Sequence, residues 1–315
     1  MTYTYGVAIP TNGNGEYLRE VLESLAALPT PPQAVAINDQ SCGTDVAGIC
    51  EEYTERFPTL VRTTRTDPPG AASARNEAIA AIVDDVEWVC ILDDDSVILQ
   101  LPEIVSGASA IVGEYEGRVA STSSEPFALD GRTIWTHAIE SATFLRASIL
   151  RRGVLFDENL GTGGPTPWQS GEGTDLLYRF MQEGPIMYDP GYRVKGLDDG
   201  QEAFPISKHR RYARGTGYVL RRRAPLTQQL RALVGPLVRA VKGQRRLNLH
   251  VFLGRLEGWE GRFSRVELSP WVELLLRYPA IKRLVSTLGL QDCLQCGKDD
   301  AHVKGKRPVV HVIQV

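Results

Sequence analysis

Trp88-Val89-Cys90-Ile91-Leu92-Asp93-Asp94-Asp95-Ser96 is the stretch that decides how this chain is read. A short apolar run stops abruptly at three carboxylates. The run has the length and the β-branched and aromatic content of a strand, and it lacks polar alternation. A parallel strand covered on both faces has this pattern. Open α/β sheets place their ligands at the carboxyl ends of such strands. Adjacent acids repel one another unless a cation neutralises them, and hard cations take one or two carboxylates together with substrate phosphates. The stretch therefore reads as a metal–diphosphate site. The competing reading is a solvated acidic turn, the usual fate of a charge run.

The residues before it repeat a strand–helix rhythm. Gly6-Val7-Ala8-Ile9-Pro10 reads as a first strand, ended by Pro10 and the turn-rich Thr11-Asn12-Gly13-Asn14-Gly15. Leu18, Val21, Leu22 and Leu25 fall on one face of a helix. Ala34 to Ile37 is a second strand, ending at Asn38-Asp39-Gln40-Ser41, and Val46, Ile49 and Tyr53 mark a second helix. Leu60-Val61 opens a third strand, Asp67 to Gly70 is a loop, and an alanine-rich helix carries Arg75. This alternation predicts an α/β fold with a mostly parallel sheet, helices on both faces and right-handed crossovers. Asp39 either accepts hydrogen bonds from a base or ribose or caps the next helix. Arg75 either meets phosphate or forms a surface ion pair.

Ile9-Pro10-Thr11-Asn12, Asn38-Asp39-Gln40-Ser41, Ala74-Arg75-Asn76-Glu77-Ala78-Ile79 and Leu92-Asp93-Asp94-Asp95 together resemble family 2 glycosyltransferases of the GT-A fold. The resemblance runs from about Tyr5 to Arg223, with the motifs in the family's order and spacing. It implies a nucleotide-sugar site built from Pro10, Thr11, Asn12, Asp39, Arg75, Asp93 and Asp94, and a Mg2+ or Mn2+ ion on Asp95 with Asp93. Asn38 stands where the family often has an acid. The implied reaction moves a sugar, with inversion, from a nucleotide-diphosphate sugar (a UDP-sugar first) to a hydroxyl acceptor.

In the following half, Pro102 to Val112 reads as a helix, and Arg118 to Ser121 and Thr133 to Thr136 as strands. Phe144 to Leu150 fits the family's segment before its acceptor loop, and Gly184 to Val194 its closing strands. The Gly/Pro-rich stretch Gly161 to Ser170 reads as a mobile loop, whose Trp168 stacks on a sugar or closes a small core. Glu172 precedes a helix that holds Asp175 in its first turn. Acids there are often only dipole partners, but attack by a hydroxyl needs a general base. The family's motif places that base where this chain has Gly173, so Glu172 is expected as the base, ahead of Asp175. His209 and Arg211, in a basic cluster, are expected at the leaving diphosphate; the cluster also reads as a solvated helix start.

No acid occurs between Glu202 and Glu257, and Leu226, Leu230, Leu233, Val234, Leu237, Val238 and Val241 form an apolar helical stripe. A basic amphipathic helix reads as a membrane-surface element, with packing against the catalytic domain or a partner subunit as its rival. The region 203–256 is thus expected to meet an anionic membrane. No nucleic acid is expected, because no recognition motif accompanies the charge; a homo-oligomer stays open. Cys293-x-x-Cys296 lacks a second cysteine pair, and His302 and His311 are too loosely placed for a zinc site. The chain of 315 residues is 43% hydrophobic and 23% charged, ordinary for a globular protein. Its five scattered cysteines fit a reducing cytosol. No apolar stretch reaches the ~20 residues of a spanning helix, and the N-terminus lacks the features of a signal peptide. The expected location is cytoplasmic, peripheral at the inner face of the plasma membrane. The expected organisation is a nucleotide-sugar half (1–100), an acceptor half (101–223) and a helical extension (224–315). Two alternatives remain. One is a membrane-docked partner without turnover, favoured by Gly173. The other is a sugar nucleotidyltransferase, disfavoured because no Arg follows the Gly-rich turn after the first strand.

Overall fold

The structure is a computed structural model that describes residues 3–43, 45–65, 68–117, 123–197 and 205–262. Strands β1 (Tyr5–Thr11), β2 (Ala34–Asp39), β3 (Thr59–Thr64) and β4 (Trp88–Ile91) alternate with helices α1 (Gly15–Ala26), α2 (Val46–Tyr53) and α3 (Ala71–Ile82). They pair in parallel in the order β3-β2-β1-β4. The alternation of side chains explains the two covered faces. Ala8, Ala34, Ala36, Val89 and Ile91 face the core that includes α3. Val7, Ile9, Val35, Ile37, Trp88 and Cys90 face the core that includes α1 and α2. The alanines on the first face let the alanine-rich α3 lie close to the sheet.

Beyond β4 the sheet becomes mixed. The later elements are β5 (Ser96–Gln100), β6 (Ala110–Tyr115), β7 (Phe127–Ala128), α4 (Ile134–His137), β8 (Thr143–Arg146), α5 (Ala147–Leu150), α6 (Glu172–Phe180) and β9 (Ile186–Gly196). β8 runs antiparallel to β4 and to β6, while β6 and β9 are parallel. β9 also pairs antiparallel with β5 and β7. The antiparallel β8 matters for function: its start lies beside the end of β4, with Thr143 opposite Ile91.

Two expected elements are corrected. Residues 102–112 do not form a helix: Gly107 turns the chain with φ +80°, and β6 begins at Ala110. Thr133–Thr136 is not a strand but the entry to the short α4. There the Asp130 carboxylate accepts from the backbone N–H groups of Arg132 and Thr133 at 2.9 and 2.6 Å, which fixes a turn. The candidate strand Arg118 to Ser121, and Cys293, Cys296, His302 and His311, lie outside the described residues.

Helices α7 (Ile206–Arg223), α8 (Leu226–Lys242) and α9 (Arg245–Glu260) follow the sheet. α7 and α9 meet backbone to backbone: a Cβ on Gly217, Gly254 or Gly258 would run into the main chain of the facing helix. Buried Glu257 of α9 accepts from Arg210 and Arg214 of α7, each at 2.6 Å. Burial alone would raise the Glu257 carboxyl, but the two guanidiniums outweigh it and hold the group below its usual range. Two members of the basic run thus serve the fold. α8 turns Ala232 and Leu233 inward and leaves Leu226, Leu230, Val234, Val238 and Val241 at least half exposed. No described helix is long and apolar enough to cross a membrane.

Candidate active site

Polar side chains gather where β1, β2 and β4 end. Thr11, the last residue of β1, stands opposite Asp39, the last of β2. Pro10 lies half-buried just before it. The Thr11 hydroxyl donates to Asp94 Oδ2 at 2.6 Å, and the Asn12 backbone also bonds to Asp94. Burial nevertheless pushes the Asp94 carboxyl up to about 6, helped by the charges of Asp95 and Asp93. Asp39 is buried and held on both oxygens. Oδ1 accepts from the Ser41 N–H and hydroxyl at 2.9 and 2.6 Å, and Oδ2 accepts from Arg62 at 2.7 Å. Burial would raise its carboxyl, but Ser41 and Arg62 together bring it below the usual range. Asn38 donates to Thr63 and Glu77 at 2.8 and 2.7 Å, which ties the end of β2 to β3 and α3.

Arg75 is the hub. It projects from α3 and is buried, donating to Asp93 Oδ1 at 2.9 Å and to Glu172 Oε1 at 3.1 Å. Burial opposes its charge, yet Asp93, Glu140 and Glu172 together hold the guanidinium firmly protonated. Glu172 opens α6, and its side chain lies against Gly161, where φ is +93° and a Cβ would crowd the carboxylate. Glu140 sits in the 3-10 turn Glu140–Ala142 that leads into β8, and its Oε1 accepts from the Gly173 N–H at 2.8 Å. Burial, with the charge of Glu172, pushes the Glu140 carboxyl up to about 7, against the pull of Arg75.

Two of the expected acids are therefore brought together, with Asp93 after β4 and Glu172 of α6 on one guanidinium. Asp175 is placed otherwise: it is 1% exposed and paired with Arg179 at 3.1 Å and Arg223 at 2.7 Å. Trp168 is buried and stacked on Tyr218, with ring centroids 5.1 Å apart and an interplanar angle of 13°. The loop Gly161 to Ser170 is fastened, not loose. The Thr162 carbonyl accepts from the Ala71 N–H at 2.9 Å, and the Ser170 hydroxyl donates to the Tyr212 carbonyl at 2.6 Å. His209 is half-buried near the start of α7, and Arg211 is exposed. Burial and Lys208 lower the His209 imidazole.

Glu140 and Arg62 were missed by sequence reasoning. Arg62 belongs to no motif, and Glu140 reaches the site only because β8 pairs with β4. Gly173 was the available signal for Glu140, since its missing side chain leaves room for the one from the turn.

Among the described residues no three His, Cys, Asp or Glu side chains gather to hold a metal by themselves. A divalent cation on a diphosphate needs only one or two carboxylates, because phosphate oxygens complete its shell. The chemistry of Asp93 to Asp95 fits that demand: the Asp94 carboxyl is raised chiefly by burial and further by the charges of Asp95 and Asp93.

No curated protein matches the chain in sequence. In fold it is similar to the mannosyltransferase PcManGT from Pyrobaculum calidifontis, solved in complex with GDP-Man and Mn2+. That match has 14% identity and a TM-score of 0.53, over 94% of this chain and 85% of that one. It is also similar to S. aureus TarS 1–349, with 17% identity and a TM-score of 0.51 over 83% of this chain and 93% of that one. The family model described as Glycosyl transferase family 2 matches residues 6–110. That span runs from β1 to the first residue of β6 and carries the strand ends just described, so this third of the chain is similar to glycosyltransferase family 2 domains, and the sheet with its flanking helices is a GT-A-like fold.

Proposed function

We propose that the chain transfers a sugar, with inversion at the anomeric carbon, from a nucleotide-diphosphate sugar to a hydroxyl acceptor. The observation that carries this reading is the Arg75 bridge, because it fixes Asp93 and Glu172 on one cation. Asp39, oriented by Ser41 and Arg62, faces the nucleoside, with Pro10, Thr11 and Asn12 beside it. Asp94 is steadied by Thr11. Arg75 orients Asp93 and Glu172 and is a positioning residue. His209 and Arg211 add positive charge for the diphosphate from the start of α7. Asp95, with Asp93, would hold Mg2+ or Mn2+, which when bound supplies Lewis-acid neutralisation of the leaving diphosphate. Because Trp168 is stacked on Tyr218, it holds the acceptor loop in place.

A thermal-shift screen tests this reading. UDP-GlcNAc, other UDP-sugars and GDP-mannose are each added with and without Mn2+. A ligand at 100 times its Kd stabilises the native state by about 2.7 kcal/mol, a shift of several degrees for a chain of this size. At least one donor should raise the Tm, and only with Mn2+ present. No shift with any donor would refute the reading.

The partner of α8 in this reading is an anionic lipid surface. Its support is the exposed apolar stripe together with the acid-free run between Glu202 and Glu257. Each basic residue near such a surface adds ~1 kcal/mol. The protein should float with phosphatidylserine vesicles at low salt and not with phosphatidylcholine vesicles, and Leu230→Glu with Val234→Glu should stop it. Concentration-dependent self-association in place of flotation would assign the stripe to a second copy.

A further inference from the structure

We propose that Glu140 is the general base of this enzyme, taking the proton of the acceptor hydroxyl from its place beside Gly173 and Glu172. The proposal rests on the sugar-transfer reading and settles which acid does this work.

The other acids near the acceptor side are engaged. Glu172 is buried and ion-paired with Arg75 at 3.1 Å, Asp93 shares that guanidinium at 2.9 Å, and Asp175 is buried between two arginines. Among the described residues Glu140 makes no ion pair within 4.0 Å, and its one hydrogen bond is the acceptance from the Gly173 N–H. A base needs a lone pair to offer and a proton affinity close to the working pH. Glu140 keeps a second oxygen without a partner among the described residues. Burial and Glu172 bring its carboxyl up to about 7, while Arg75 and the Gly173 N–H keep it from rising further. The groups facing it are thus Glu172 of α6, Arg75 of α3 and Asp93 at the end of β4.

The absence of a side chain at Gly173 is a requirement of this arrangement. A Cβ there would overlap the Glu140 side chain, so the helix offers its N–H and the turn before β8 supplies the carboxylate. In the step itself the acceptor oxygen bonds to the anomeric carbon as the bond from that carbon to the diphosphate oxygen breaks. The electron pair of that bond leaves with the nucleoside diphosphate, and the hydroxyl proton passes to Glu140.

The test uses the full chain, Mn2+ and a donor from the thermal-shift screen, with water as acceptor and nucleotide release as the readout. Glu140→Gln should lower release by about 100-fold or more, the usual contribution of a general base, while the donor-induced Tm shift stays as in wild type. Wild-type release should rise with pH, since only the carboxylate accepts a proton, and Glu140→Gln should lose that limb. Glu140→Ala with azide should regain release, because azide attacks without giving up a proton; a purely structural loss would not be rescued. Release by Glu140→Gln at the wild-type rate would overturn the proposal. So would a wild-type protein that binds a donor and never frees its nucleotide. A wild-type protein that binds no donor would sink the transferase reading beneath it.

Discussion

Asp95→Ala should remove Mn2+-dependent nucleotide release, lowering it by roughly 10³-fold, the scale seen when one preorganised electrostatic stabiliser of a leaving group is lost. The three acids after β4 have different surroundings. Asp93 is turned toward Arg75, and Asp94 toward Thr11. Asp95 accepts from the neighbouring Ser96 hydroxyl at 3.1 Å, and its backbone carbonyl accepts from the Leu197 N–H at 2.7 Å, which sets where its carboxylate starts from. The variant also relieves a repulsion. Burial, the main cause of the raised Asp94 carboxyl, stays in the variant, but the added push from Asp95 is gone, so that carboxyl should fall only part of the way. The donor-induced Tm shift should no longer respond to Mn2+. Full release in the variant, with or without chelator, would remove the metal role from these acids.

Arg75→Met should cost about 3–5 kcal/mol of stability at pH 7.5, the range for a buried ion pair broken on one side. Three carboxylates, Asp93, Glu140 and Glu172, lose the cation that faces them. The sign of the pH dependence follows. Without the guanidinium the Glu140 carboxyl, already raised by burial and Glu172, loses the charge that holds it down, so it destabilises the fold when ionised and is relieved as the pH falls. The deficit against wild type should therefore shrink between pH 7.5 and pH 5, measured as urea midpoints at each pH. Arg75→Lys should recover little, because a compact ammonium cannot reproduce the planar fork that reaches both Asp93 and Glu172. A loss under 1 kcal/mol at pH 7.5 would show that the bridge is not what joins the two halves.

The first four strands were legible because the polar groups at their ends lie next to them in sequence. Thr11 and Asp93 directly follow apolar runs, and Asp39 follows one after Asn38, so the strand and the polar groups at its end are read together. The misread stretches are short apolar runs. Ile104, Val105, Ala108, Ile111 and Val112 fit helical spacing, yet Val105 is exposed while Ile111 and Val112 are buried in β6, and periodicity alone does not separate the two over such a length. Glu140 was illegible for a different reason. Its place depends on β8 lying antiparallel beside β4, a pairing between residues more than fifty positions apart that leaves no mark in the local pattern. The basic run was legible as charge but not as a division of labour: Arg210 and Arg214 close a helix contact, while Arg211 stays exposed.

The glycines of α7 carry a consequence for the loop Gly161 to Ser170. Gly215 abuts the main chain of Ser170 on one flank, and Gly217 abuts that of Arg255 on another. With main chain on both flanks there is no flexible side chain to absorb a displacement, and close-packed contacts pass strain on. A push on α9 is therefore handed through α7 to the segment that positions Trp168 and leads into Glu172. Shortening the protein after Arg223 would do more than trim a surface: it would take Glu257 away from Arg210 and Arg214 and remove the main chain against which Gly217 rests.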